Sequence, residues 1–315
     1  MNEKKVAQDI VDKERAVNDR EQTNMNAGKD KQDDNEGSLI EAIEQSLDEL
    51  DLSFDIEELN ILDDENAKPR DIEALKENLG ATVSTRLFSL ANSTHFARIS
   101  SGKIMKFTDV ITRLGTEFTR ATAIFIVFLE LAITDRMKLV IARNFATSKL
   151  AEIIAYQMKL SIPDRNTVIL GGLFIEIGKL IMLLYAHNEE IELDEDFIQE
   201  YHSGIGIRVI EKFELPASLK EIIHHSHFTF VKKNSFALSA LTDMAYRVVD
   251  ESFNKHGKLI VESTMPDPDG LLYNSTAGSM ILSQFQLMGL GAYVRVVPAE
   301  LTDIEQRLID KGGEK

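Results

Sequence analysis

The chain has no cysteine and no tryptophan. The missing thiols exclude a disulfide framework, a cysteine-ligated zinc site and a thiol nucleophile, and they suit a reducing compartment. The opening stretch MNEKKVAQDIVDKE lacks the apolar core of a secretory signal, so the expected location is cytoplasmic. Long uncharged apolar runs are absent too. The run 121–133 contains Glu130, and 168–186 contains Glu176 and Lys179, whereas a membrane span needs about 20 residues nearly free of charge. Both runs are expected to be buried core helices, and no membrane is expected as a partner.

At 315 residues the chain has room for one large core or two modest ones. Its 43% apolar and 28% charged residues match an ordinary globular protein, which excludes a coiled-coil rod and full disorder. The net charge of −17 is uneven, because residues 38–67 hold eleven acidic side chains and no basic one. Such a stretch repels phosphate backbones, so direct nucleic-acid binding is not expected there; it reads as a solvated helix face or as a docking surface for a basic partner. Residues 1–37 contain 17 charged side chains and no aromatic one, and are expected to be a disordered tail.

From Ser38 the pattern is helical. Ser38 and Glu41 form an S-x-x-E box before Leu39, Ile43, Leu47 and Leu50, which predicts a helix start. Pro69 resets the chain; helical spacing then returns in two short helices that meet near Gly80, and Gly115 reads as a C-cap. Further helices are expected over 118–133, 139–160, 168–185 after a loop at Pro163, 202–213 after an acidic loop, from about Ser218, and over 236–253. Nothing over 70–253 alternates as strands do. The last stretch differs: 258–262 and 292–297 are β-prone around a helix at 275–288, a small strand-helix-strand appendage.

Four places carry polar chemistry. Glu176 lies in an apolar helix, so it must pair, face a polar cleft or suffer a large burial cost; Lys179, three residues on, can reach the same face. His202 sits at a helix start, as a packing residue or a ligand. Glu221, His224 and His225 share adjacent helix faces, with His227 close by, an arrangement that suits a divalent metal without requiring one. Asp243 adds a carboxylate on the last core helix. The fourth place is Asn92-Ser93, which caps or terminates a helix.

The order of Glu176-Ile177-Gly178-Lys179, His202 before a helix ending in Leu215-Pro216, the His224-His225 pair and Asp243 resembles the HD phosphohydrolase superfamily. Arg86-Leu87-Phe88-Ser89-Leu90-Ala91-Asn92-Ser93, followed by Phe96, Ile99-Ser100-Ser101 and the run Val110 to Gly115, is similar to the hallmark of HD-related output (HDOD) domains. The resemblance covers roughly residues 50–255 and implies an all-α bacterial signalling module with Leu90, Ala91, Asn92, Ser93, Gly178 and Lys179 at motif positions. It also implies a decayed site. Where an active HD enzyme carries adjacent His and Asp ligands this chain has Ile175 and Glu176, and Asn144 or Phe145 stands near the place of a missing upstream histidine.

The resulting expectation is an all-α HD-like bundle over 38–257 with an N-terminal helical half, a tail at 1–37 and a small α+β extension over 258–315. Its expected role is a non-catalytic regulatory module in signal transduction that binds a protein partner or a small signalling ligand. The alternative is a variant metal-dependent phosphohydrolase acting on a nucleotide or cyclic dinucleotide. No catalytic residue and no cofactor are expected; a divalent metal, if present, would be held by Glu176, His202, His224, His225 and Asp243. A third reading is a scaffolding subunit that oligomerises through the extension, and the sequence leaves the oligomeric state open.

Overall fold

A computed structural model of the chain describes residues 36–50, 52–64, 66–92, 103–225, 238–263 and 277–298. The expected tail lies almost wholly outside the described residues, as do Ser93, His227 and the side chain of His225. The chain divides into two units, residues 1–50 and 51–315. In the first, helix α1 spans residues 36–48. It is already helical at Glu36, a charge favoured at a helix N-terminus, so Ser38 lies within the first turn instead of capping it.

The second unit opens with a 3₁₀ turn, Ile56–Leu62, capped by Asp55, whose carboxylate accepts from the Glu57 N–H at 2.9 Å. Helix α2 (Pro69–Asn78) starts with proline, where the missing N–H has no helical partner to lose. Gly80 at φ +76° turns the chain into α3 (Gly80–Ala91), and Gly115 at φ +87° ends α4 (Phe107–Leu114) before α5 (Thr116–Leu131). Both glycines hold left-handed backbone that a side chain would strain. Arg120 of α5, only 5% exposed, is neutralised by an ion pair with Asp63 and donates to the Leu59 carbonyl at 3.1 Å, tying the 3₁₀ turn to the helix.

The larger half follows: α6 (Asp135–Gln157), α7 (Ile162–Phe174), α8 (Ile177–Asn188), α9 (Glu195–Lys212), α10 (Ser218–His225) and α11 (Leu238–His256). Three expectations need correction. Pro163 does not open a loop but stands in the first turn of α7 behind the Ser161 cap, the position where proline fits. The single helix expected over 168–185 is two, broken at Ile175 and Glu176. And α9 begins at Glu195, because Asp194 caps it and accepts from the Asp196 N–H; His202 therefore lies mid-helix, not at a helix start.

The apolar segment Ile162–Asn188, which spans α7, the break and α8, is long enough to cross a membrane, but its most apolar eighteen residues are 94% buried in the core. Helix α6 packs along α7, α8 and α11. Ala151 and Ala155 meet Val168, Leu241 and Ala245 there, small side chains that let three helices approach closely. After α11 come strand β1 (Leu259–Ser263), α12 (Ala277–Leu287) and strand β2 (Val294–Pro298). The strands pair in parallel, Leu259 opposite Val294 through Ser263 opposite Pro298, so the extension is strand-helix-strand with α12 as the crossover. It is anchored by Phe285, fully buried with its ring 4.9 Å from that of Phe145.

Candidate functional site

The break between α7 and α8 places Glu176 at φ −116°, ψ 21°, outside helical geometry and 1% exposed. A lone carboxylate so buried would cost several kcal/mol or take up a proton. It is paired instead. Lys179, one turn on and 6% exposed, forms an ion pair with Oε1, and the Tyr246 hydroxyl of α11 donates to the same oxygen at 2.7 Å. Burial alone would raise the Glu176 pKa; the charge and hydrogen bond of Lys179, the Tyr246 bond and the His202 charge outweigh it and hold the carboxyl below its ordinary value. Tyr246 moves the other way: burial first, then the Glu176 charge, pushes its hydroxyl far above the usual range, so it stays a donor. Both donors serve one oxygen, and Oε2 has no hydrogen-bond partner.

His202, 1% exposed on α9, sets its Nδ1 2.9 Å from the Ile198 carbonyl and 3.0 Å from that of Gln199. Carbonyls only accept, so Nδ1 carries a proton and the ring orientation is fixed by its own helix. Gly178 is what lets α8 reach it. A Cβ at Gly178 would fall 1.8 Å from the His202 carbonyl oxygen and 2.7 Å from the Gly206 nitrogen, so only glycine permits this backbone-to-backbone crossing.

The opposite wall comes from α6. A Cβ on Gly172 would lie 2.4 Å from Ser148 Cα, which sets Gly172 of α7 beside Ser148 of α6. These consecutive helices run antiparallel, so one turn further on Glu176 comes level with Asn144. On the third side Arg143 ion-pairs at 3.3 Å with Asp250, one turn beyond Tyr246 on α11. At 100° per residue, Asn144 shares a face with Thr147, Ser148, Ala151 and Ala155, the face that packs on α7 and α11. Phe145 looks elsewhere, stacking on Phe125 at 6.5 Å and meeting Phe285 edge to face. Of Asn144 and Phe145, Asn144 is the one buried on the face of α6 that packs on α7.

Among the other sequence candidates, Asp243 sits on α11 and pairs within its own helix. Asp243 Oδ2 accepts from Arg247 Nε at 2.9 Å, while its Oδ1 is buried without a partner. His224 and Glu221 are exposed on α10, and the side chain of His225 lies outside the described residues. The structure therefore joins Glu176, Lys179 and His202, and adds Tyr246, which the sequence reading passed over although it stands one turn beyond Asp243. Among the described residues no three His, Asp or Glu side chains are grouped as a metal would need.

At the far end of the first half, Asn92 ends α3 and pins the chain that returns to α4. Its Nδ2 donates to the carbonyls of Phe88 at 3.0 Å and Ile104 at 3.2 Å, and its Oδ1 accepts from the Ile104 N–H at 2.7 Å. Arg113 donates to the Ala91 carbonyl at 3.0 Å, and Leu90 and Ala91 are buried beneath. These motif positions form a structural clamp. A half-open cleft of about 420 Å³ separates the halves, lined by Asp63, Gly115, Glu117, Pro163, Asn166 and Pro216 among others. It flanks the start of α7, roughly 20 Å from Glu176 along a 13-residue helix.

A family model described as HDOD domain matches residues 56–229. The chain belongs to the HDOD family. No curated protein sequence matches it. Among solved structures, this HDOD chain is similar to a protein of Shewanella amazonensis SB2B described as a "putative metal-dependent phosphohydrolase", with 17% identity and a TM-score of 0.51 over 82% of this chain and 99% of that one. It is also similar to an HDOD domain protein with unknown function from Geobacter sulfurreducens, with 15% identity and a TM-score of 0.44 over 88% and 94% of the two chains. At such identity the first likeness speaks for the fold alone.

Relatedness to the HD superfamily raises the question of a divalent metal, and the described residues of this HDOD chain do not fit one. Ile175 offers no donor, and Asn144 offers a neutral amide where an imidazole would bind far more tightly. The carboxylate that remains, Glu176, already holds the Lys179 ammonium. A divalent ion beside that ammonium would meet repulsion instead of a second ligand.

Proposed function

We propose that this HDOD chain is a non-catalytic regulatory module of the cytoplasm, which binds a protein partner or a small signalling ligand and passes the event on through its packed helices. The observation that carries the reading is the closed ion pair of Glu176 with Lys179, capped by Tyr246. Metal-assisted phosphoester hydrolysis needs an ion to lower the pKa of a bound water and to clamp the phosphate. A carboxylate whose charge is spent on an ammonium supplies neither action, and Ile175 adds no donor. The cleft between the halves has the size of small-molecule sites, about 300–1,000 Å³, and is open to solvent as the Glu176 cluster is not.

The test is turnover. Full-length protein incubated with Mn²⁺ and a panel of mono- and cyclic dinucleotides is expected to give no hydrolysis above a His202→Ala control. Hydrolysis that the His202→Ala substitution abolishes would instead make the chain a variant phosphohydrolase, the activity named for the Shewanella amazonensis protein.

A further inference from the structure

The junction of α6, α7, α8 and α11 changes character along its length. Toward the end of α6 it is closed by Ala151, Ala155, Val168, Leu241 and Ala245. Toward the start of α6 it is lined by Asn144, Thr147, Ser148 and Glu176, all 1% exposed or less. Both amide atoms of Asn144, Thr147 Oγ1, Ser148 Oγ and Glu176 Oε2 lack a hydrogen-bond partner. The level set by Gly172 against Ser148, and by Arg143 and Tyr246 on α11, brings these atoms to one section of the junction. Orphaned polar groups at this density are rare, because each one withheld from water loses its hydration with nothing in return.

We infer that this section is an internal hydration site, in which one or more ordered water molecules bridge Glu176 Oε2 to Asn144 and the hydroxyls of Thr147 and Ser148. Charge selects water over an ion. Glu176 is ionised and already neutralised by Lys179, so the occupant must bring no charge of its own. Hydrogen-bond chemistry selects it again: Oε2 needs a donor, the Asn144 amide needs both an acceptor and a donor, and the hydroxyls serve as either. A water makes about three such bonds in one small volume. The inference rests on the non-catalytic reading of the same cluster, and it places bound water inside the junction of α6, α7, α8 and α11.

A crystal structure of the full chain at about 1.5 Å, with oxygen-17 relaxation dispersion in solution on the wild type and on Asn144→Leu, tests it. The expected result is at least one ordered water within hydrogen-bond distance of Glu176 Oε2 and of Asn144 or Ser148, and a long-lived water signal that is reduced in the variant. A dry junction, with Oε2 met directly by a protein donor, overturns the hydration site and leaves the non-catalytic reading intact. Metal density there overturns both. Should Asn144→Leu fail to fold, the wild-type crystal decides alone.

Discussion

Glu176 shows how a carboxylate can be withdrawn from water when its neighbours take water's place. Its carboxylate is buried because Lys179 and Tyr246 replace the water it lost, and the three groups form one unit. Breaking such a buried pair from one side leaves an uncompensated charge, so Lys179→Met is expected to cost about 3–5 kcal/mol, and Glu176→Gln/Lys179→Met together much less. Urea unfolding of the two variants measures the difference. The pH dependence has a definite sign. Because the folded carboxyl titrates below 4.5, the stability it contributes is present above the unfolded value and is lost as pH falls through the folded one. The acid limb of the wild type is therefore expected to be steeper than that of Glu176→Gln/Lys179→Met; coincident limbs would mean that the pair contributes nothing.

Helices α8 and α9 meet at two glycines of unequal importance. A methyl at Gly178 strikes the His202 carbonyl, which is backbone and cannot yield, whereas one at Gly206 meets the Ile223 side chain at 3.3 Å. Gly178→Ala is expected to cost at least the upper end of the roughly 1–3 kcal/mol usual for overpacking, and Gly206→Ala clearly less, as read by thermal unfolding. Most helices were legible from spacing and punctuation, since Pro69, Gly80 and Gly115 stand where their backbone preferences require. The break at Glu176 was not, because 168–186 is apolar on every face and gives no period to interrupt. Charge misled the reading of α9: Asp194, Glu195 and Asp196 look like an acidic loop, yet acidic residues also mark a helix N-terminus. Tyr246 could not be found locally, for its partner lies 70 residues away and the contact exists only once α11 packs beside α7.

Across the whole molecule, polar side chains have two fates. Asn92 and Arg120 fasten the first half through backbone carbonyls and one carboxylate, while Glu176, Lys179, His202 and Tyr246 fill the centre of the second. The HDOD match stops at residue 229, but the extension beyond α11 adds Phe285 to the same aromatic cluster as Phe145 and Phe125. Everything proposed for this chain depends on the Glu176 carboxylate at the centre of the second half being held by the Lys179 ammonium. Elemental analysis of full-length protein, incubated with excess Mn²⁺, Fe²⁺ or Zn²⁺ and then desalted, tests that most directly. The account predicts retained metal far below one ion per chain, the same in wild type and His202→Ala. One or two ions held per chain and lost on His202→Ala would contradict it.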